Sequence, residues 1–255
     1  MPINSSTTVL ITGATSGFGA AAARRFAKDG ARLVLLGRRA DRLEAMKKEL
    51  GVPALPVALD VRDREAVERA IGSLPRDFAA IDVLVNNAGL ALGIEPAHKI
   101  DLDDWEQMVD TNVKGLMYLT RFVLPGMVER KRGHVINIGS VAARYPYPGG
   151  NVYAGTKAFV AQFSIALRAD LQGANVRVTD IEPGLCQTEF SLVRFKGDAD
   201  KAAKPYENTK YLSADDVAEC IHWAAALPEH VNVNVLEVMP VTQAFNGFNI
   251  HRETP

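Results

Sequence analysis

Seven short apolar runs punctuate this chain, and segments of helical period separate most of them. The runs are Val9–Ile11, Leu33–Leu36, Ala54–Ala58, Val83–Val85, Val135–Ile138, Val176–Ile181 and Val233–Val238. Most are nearly continuous in apolar residues and rich in β-branched side chains, the pattern of strands buried on both faces. Between them the sequence predicts helices over 17–30, 42–50, 103–131, 152–172 and 214–226. Strand and helix in alternation imply an α/β chain with a parallel sheet covered by helices on both sides. Pro56 cannot donate to a sheet ladder, so the third strand is expected at an edge. Ser213 with Asp216 three residues on reads as a helix N-cap, and Gly30 and Gly173 as helix stops.

At 255 residues, with no repeat or linker, the chain is expected to form a single domain over 1–255. Residues 188–212 break the rhythm and are expected to be an excursion covering the site. The net charge of −1 argues against a nucleic-acid partner. No apolar run approaches the ~18 residues of a membrane span, and no secretory signal opens the chain. Cys186 and Cys220 match no metal or redox spacing and read as ordinary small residues in a reducing compartment. These features lead to the expectation of a cytoplasmic protein with no metal, no membrane and no nucleic acid.

The turn Thr12-Gly13-Ala14-Thr15-Ser16-Gly17-Phe18-Gly19 follows the first strand and opens the first helix. That is the context in which glycines let a pyrophosphate approach the free N–H groups of a helix N-terminus. The end of the second strand carries Gly37-Arg38-Arg39 where an enzyme using NAD would place a carboxylate for the ribose hydroxyls. Two guanidiniums there can hold a 2′-phosphate, so NADP is the expected cofactor. Asp60, followed by Val61, could accept from an adenine amino group. Asn87, Ala88 and Gly89 at the end of the fourth strand suit a flat ring lying beside backbone.

Tyr153 and Lys157 are one helical turn apart and share a face. An ammonium about 4 Å from a phenol at an effective dielectric of about 20 would lower its pKa by about three units, so the lysine is expected to bring the phenol towards working pH. Ser140, at the end of the fifth strand, can hydrogen-bond a reacting oxygen. Asn112 sits inside a long predicted helix, where asparagine is disfavoured, and is expected to hold a water near Lys157. A second Tyr/Lys pair, Tyr206 and Lys210, lacks an upstream strand-end serine and is not expected to be catalytic.

Taken in order and spacing, the Thr12–Gly19 turn, Asp60, Asn86–Gly89, Asn112, Ser140, Tyr153, Lys157, Pro183-Gly184 and Thr188 resemble the short-chain dehydrogenases/reductases. The resemblance implies a single Rossmann-type, doubly wound domain with a seven-stranded parallel sheet, assembled as a homotetramer. It implies that Tyr153 is the acid/base and that Lys157 tunes it and binds the nicotinamide ribose. Ser140 would polarise the carbonyl, and Asn112 would support a proton relay. Pro183, Gly184 and Thr188 would hold the nicotinamide carboxamide and phosphate. The apolar stretch Val233–Val241 adds to the expectation of self-association.

Within that family, Gly37–Arg39, Pro148–Tyr153, Asp180–Gly184, Val193–Asp198 and Met239–Gln243 look like the NADP-dependent serine/3-hydroxy acid dehydrogenase branch. That likeness implies a substrate such as L-allo-threonine, L-serine or 3-hydroxypropionate, with malonic semialdehyde in the reverse direction. Leu185-Cys186-Gln187 departs from the smaller, glycine-containing link expected before Thr188. A substrate carboxylate needs a cation. Arg194 in the cover is the leading candidate, with Lys196 and Arg144 as the others. A reductase of carrier-linked 3-ketoacyl groups or apolar ketones, and an inactive dinucleotide-binding sensor, are the competing readings.

Overall fold

The computed structural model describes residues 2–244. Seven strands, β1 (Thr8–Thr12), β2 (Arg32–Gly37), β3 (Ala54–Ala58), β4 (Val83–Asn86), β5 (Gly133–Ile138), β6 (Val176–Pro183) and β7 (Val235–Val238), form one sheet. Its order is β3-β2-β1-β4-β5-β6-β7, and every pairing is parallel. Pro56 lies in β3 at the edge, as its missing N–H requires. The last strand begins at Val235, two residues later than its apolar run.

Side-chain alternation divides the core into two layers. Val9, Ile11, Leu33, Leu35, Val83, Val85 and Ile181 face helices α1 (Gly17–Lys28), α2 (Ala40–Leu50) and, past an intervening run of helices, α10 (Ala214–Ala226). Leu10, Val34, Leu36, Leu84, Val135 and Val178 face the opposite way. That side is covered by α3 (Arg64–Gly72), α6 (Leu116–Glu129) and α7 (Asn151–Asp170). Short helices α4 (Arg76–Ala79) and α5 (Leu102–Val109) complete this half. Phe26 of α1 is fully buried in the first layer; truncating such a side chain costs about 3–5 kcal/mol.

Local chemistry sets the helix ends. Ser213 and Asp216 form a reciprocal capping box at α10, and the Asp63 carboxylate accepts from Ala66 N–H at α3. Gly30 and Gly173 have φ of 80° and 83°, the left-handed geometry that glycine reaches without strain. By contrast, α1 has no side-chain cap at Ser16 and no acidic residue in its first turn. Its N-terminus is therefore open to an anion.

Two segments differ from the sequence expectation. The helix expected over 103–131 is divided, because Asp110–Gly115 winds as a π-helix between α5 and α6. At its end Val61 packs so closely on Gly115 that a Cβ there would lie 2.7 Å from a valine methyl, so only glycine fits. The excursion is also not irregular throughout. It contains α8 (Phe190–Arg194), α9 (Ala199–Ala203) and a 3-10 turn at Lys204–Tyr206. No helix among the described residues is long and apolar enough to cross a membrane.

Candidate active site

All the sequence-predicted site residues except Gly19, Asn112 and the candidate cation Lys196 line one cavity of 1390 Å³ at the carboxyl ends of the strands. Strand order reverses between β1 and β4, and a doubly wound sheet opens its ligand crevice at such a point. The glycine turn forms one wall. Gly13 has φ of 65°, and a Cβ there would come within 2.8 Å of Asn87 Nδ2. A Cβ on Gly19 would collide with the Gly13 carbonyl. Gly19 therefore lies beneath the turn and lets α1 pack against it. Thr188 faces the turn, 3.5 Å from where a Gly17 Cβ would sit.

Asn87 joins the two strand ends. Its backbone N–H donates to Thr12 Oγ1 at 2.9 Å, and its side-chain amide donates to the Thr12 carbonyl at 2.8 Å. Ala88 N–H donates to the same Thr12 hydroxyl at 2.8 Å. Thr12 thus positions the fourth-strand wall, a role its place in the glycine turn did not reveal. The Asp60 carboxylate is held by Arg62, with a 2.7 Å ion pair. Burial alone would raise its pKa, but hydrogen bonds from Arg62 outweigh burial and keep it low. It remains a charged acceptor on the cavity wall.

Arg38 and Arg39 stand at the end of β2 on the cavity wall. Arg39 Nη2 donates to Thr15 Oγ1 at 2.8 Å and to Ser16 Oγ at 3.0 Å. Arg39 Nη1 meets the Glu189 carboxylate at 3.2 Å, and Arg42 meets the same carboxylate at 2.9 Å. The arginine fork is thereby aimed beside the open end of α1, where a carboxylate from the excursion now holds it.

Ser140, Tyr153 and Lys157 converge. Tyr153 and Lys157 are 8% and 7% exposed, although both line the cavity. The Ser140 hydroxyl faces the Tyr153 phenol and favours its ionised form. Lys157 Nζ donates to the Ile138 carbonyl at 2.7 Å and lies 5.9 Å from the centre of the Tyr153 ring. The sequence expectation that Lys157 pulls the phenol towards neutral pH does not hold in this arrangement. Burial pushes Tyr153 up to about 12, and Ser140 recovers only part of that. Burial also holds Lys157 down to about 8, with Asp180 acting in the opposite sense. The lysine has itself lost solvation, so it can offset only a fraction of the phenol's loss. The tyrosine is a protonated donor, and the lysine is mostly charged at neutral pH.

Asn112 lies in the π-helical stretch, a form of helix that recurs at functional sites. Its Oδ1 accepts from Leu90 N–H at 2.8 Å, and its Nδ2 donates to the Leu90 carbonyl at 2.8 Å and to Thr156 Oγ1 at 3.0 Å. These bonds occupy the amide, so it braces the loop after β4 rather than holding a water through its side chain. Thr156 was not anticipated. It lies between Tyr153 and Lys157, and its hydroxyl donates to the Tyr153 carbonyl at 2.7 Å.

The excursion closes over this centre. Phe190 packs against Tyr153 with ring centres 5.7 Å apart. Arg194 Nε donates to the Gly93 carbonyl at 3.2 Å, and its guanidinium lies over Tyr147 at 5.3 Å and Tyr153 at 5.8 Å. Its Nη2 is buried without a partner. The other two candidate cations are committed: Arg144 pairs with Glu182 at 2.8 Å and Lys196 with Asp104 at 2.8 Å. Tyr206 is a tie rather than a proton donor, since its hydroxyl meets Ser191 Oγ at 2.6 Å and donates to the Cys186 carbonyl at 3.0 Å. The backbone of the unusual Leu185–Gln187 link is tied on both sides. Leu185 N–H donates to Gln243 Oε1 at 2.7 Å, and Gln187 N–H donates to the Leu212 carbonyl at 3.1 Å. Burial raises the Cys186 thiol to about 12, as suits an unreactive side chain.

Comparison with known proteins agrees with this geometry. Residues 7–198 match the family model described as short chain dehydrogenase. The chain is 62% identical over 245 residues to the NADP-dependent 3-hydroxy acid dehydrogenase YdfG of Salmonella typhi, covering 96% of this chain and 99% of that protein. It is 56% identical over 247 residues to the serine 3-dehydrogenase of Rhizobium radiobacter, covering 97% and 99%. A solved structure of serine dehydrogenase in its closed form, complexed with NADP+, superposes with a TM-score of 0.96 at 59% identity, covering 97% of this chain and all of that one. With the fold, the glycine turn and the Ser-Tyr-Lys centre all in place, the chain belongs to the short-chain dehydrogenase family.

Proposed function

We propose that this protein is an NADP-dependent oxidoreductase that moves a hydride between the nicotinamide and the β-carbon of a small 3-hydroxy acid. The observation that carries the substrate class is the half-buried Arg194 guanidinium over Tyr153, whose Nη2 is buried without a partner. A buried cationic donor without an acceptor is costly, and a substrate carboxylate supplies that acceptor through a charge-assisted hydrogen bond. The NADP-dependent 3-hydroxy acid and serine dehydrogenases at 62% and 56% identity support the same reading.

The cradle fits the cofactor. Gly13, Thr15, Ser16, Gly17, Phe18 and Gly19 shape the open end of α1 for the pyrophosphate. Arg38 and Arg39 take the 2′-phosphate, Arg39 releasing Glu189 to do so. Asp60 and Val61 border the adenine, while Asn87, Ala88 and Gly89 border the ribose and nicotinamide. Pro183, Gly184 and Thr188 meet the carboxamide and phosphate. Bound there, NADP supplies or accepts the hydride.

The chain's own groups handle the proton. In the reductive direction Tyr153, protonated because it is buried, donates to the carbonyl oxygen as charge develops there. Ser140 donates a hydrogen bond to the same oxygen, and Arg194 fixes the carboxylate so that the β-carbon faces the hydride. Lys157 holds a positive charge beside the phenol, easing loss of its proton, and binds the nicotinamide ribose. Asn112 braces the loop after β4 and, through the π-helical turn, the start of a proton relay. General acid–base transfer of this kind contributes about 10²–10⁴-fold to rate. An idle dinucleotide sensor would have no use for three convergent proton-handling groups.

Residues 188–212 act as the cover of a single domain spanning 1–255, with Phe190 and Arg194 closing on Tyr153. The assembly is a cytoplasmic homotetramer. Its support is the family resemblance, two free cysteines, and exposed apolar side chains on α5, α6 and α7 at Leu102, Met117 and Ile165. A monomeric mass in light scattering at micromolar concentration would contradict the assembly.

The decisive experiment follows NADPH formation with L-allo-threonine, L-serine and 3-hydroxypropionate beside steroids and apolar alcohols. Hydroxy acids should give the highest kcat/KM, with NADP preferred to NAD. Bulky apolar substrates outperforming every hydroxy acid would defeat the substrate class while leaving the reaction type intact.

A further inference from the structure

Two buried carboxylates near Lys157 have no part in the roles above. Asp180 and Glu182 alternate along β6, so both point to the face of the sheet that α7 covers. Both are 0% exposed. Glu182 is held by Arg144, whose Nε and Nη2 donate to its two oxygens at 2.8 and 3.3 Å. Neither Asp180 oxygen has a donor. The Asp180 carboxylate packs on Gly139 so tightly that a Cβ there would collide with it. Gly139 separates Ile138, whose carbonyl accepts from Lys157, from Ser140. Asp180 therefore presses on the piece of backbone that carries both the lysine's acceptor and the serine.

A buried carboxylate without a donor is expensive to ionise, and two carboxylates side by side cannot both ionise. Arg144 is paired with Glu182 and no cation is paired with Asp180, so of the two carboxyls Asp180 is the one that takes up a proton, with its O–H in reach of Glu182. The surrounding groups agree. Burial first, and then the Glu182 charge, raise Asp180 well above the usual carboxylate range, while Lys157 from α7 acts against them. Asn137 is registered beside Asp180 on β5, and Glu237 beside Glu182 on β7.

We propose that Asp180 is a positioning residue for Lys157: neutral while the lysine is fully protonated, it gains negative charge as pH rises and keeps the ammonium charged further into the alkaline range than burial alone allows. The proposal rests on the reading that Lys157 works as a cation.

The test is the pH profile of kcat/KM for malonic semialdehyde reduction. Tyr153 acts there in its protonated form, so the phenol pushed up by burial leaves the alkaline limb to Lys157, and the substrate has no amino group to titrate there. Asp180→Asn keeps the shape and can still donate to Glu182, but cannot become charged. Its alkaline limb should fall to lower pH by at least about half a unit, with the acid limb in place. Glu182→Gln removes the neighbouring charge, so Asp180 ionises earlier and the alkaline limb should move to higher pH. The infrared band of a buried protonated carboxyl should be present in the wild type and absent from Asp180→Asn. Superimposed profiles, shifts in the same direction for both variants, or no such band would overturn the proposal. If Asp180→Asn does not fold, the Glu182→Gln shift and the wild-type band, lost on alkaline titration, decide alone. A wild type that oxidises no hydroxy acid would defeat the functional reading instead, while the infrared band would still report on Asp180.

Discussion

Replacing Arg194 with methionine isolates the carboxylate clamp. Methionine keeps an unbranched apolar stem against Tyr147 and removes every donor. The structure sets the expected size of the effect. Arg194 Nε is already spent on the Gly93 carbonyl, so that bond offers the substrate nothing. The unpartnered Nη2 supplies one charge-assisted hydrogen bond in a site closed by Phe190. Such a bond is worth about 1.5–3 kcal/mol, or about 10- to 150-fold in kcat/KM. The loss should fall on KM for hydroxy acids, because the carboxylate is held equally in ground and transition states. The assay is NADPH formation from 3-hydroxypropionate, with 1-propanol as the uncharged comparison. An equal loss on the alcohol would mean that Arg194 merely packs the cover, and no loss on the acid would mean that the carboxylate binds elsewhere.

Tyr153→Phe should lower turnover by about 10²–10⁴-fold while NADPH still binds, as read from its fluorescence; retention of a few per cent of the rate would remove Tyr153 from the chemistry. Replacing both Arg38 and Arg39 with alanine should weaken NADP binding at least about tenfold and change NAD binding far less, and calorimetry showing equal losses would refute the phosphate assignment. Lys157→Met should abolish activity yet raise Tm without cofactor, because a lysine held by burial at about 8, against 10.5 for a solvated lysine, costs the fold roughly 3 kcal/mol at neutral pH. In the wild type the unfolded chain binds more protons at that site between those two values, so the Lys157 contribution to stability rises with pH across the window. Tyr153, raised to about 12 from 10.0, gives a contribution that is full below 10 and lost as pH climbs towards 12. Denaturation midpoints measured across pH 7–12 for wild type and Lys157→Met would separate the two slopes.

Patterns with a local cause were legible before any fold was known. Runs of β-branched apolar residues alternate with helical segments because a parallel sheet buries both faces, and that pattern produced the strand order's edge at Pro56. The Thr12–Gly19 turn is readable because positive φ and close approach demand glycine at particular positions. Tyr153 and Lys157 meet because helical geometry brings residues four apart to one face. The helix expected over 103–131 is divided by a π-helical stretch; helical periodicity does not distinguish α from π winding, although Asn112 and Gly115 weaken the segment as an α-helix.

What the sequence by itself determined was therefore the architecture, the glycine turn at the open end of α1 and the types of group at the centre. Only the tertiary structure decided how those groups are tuned. Arg194 led three candidate cations for the substrate carboxylate, and the fold removed the other two when Glu182 and Asp104, brought in by other elements, claimed Arg144 and Lys196. The phenol was expected to titrate low because spacing reveals its neighbour. Its actual direction follows from desolvation, which depends on everything packed around it, including Phe190 from the cover. Asp180 is one acidic residue in a strand until the fold places it against Gly139 and Glu182. Backbone geometry is set by near neighbours along the chain. Charge, protonation and freedom to bind are set by whichever distant side chains share the same buried volume, and those are known only after folding.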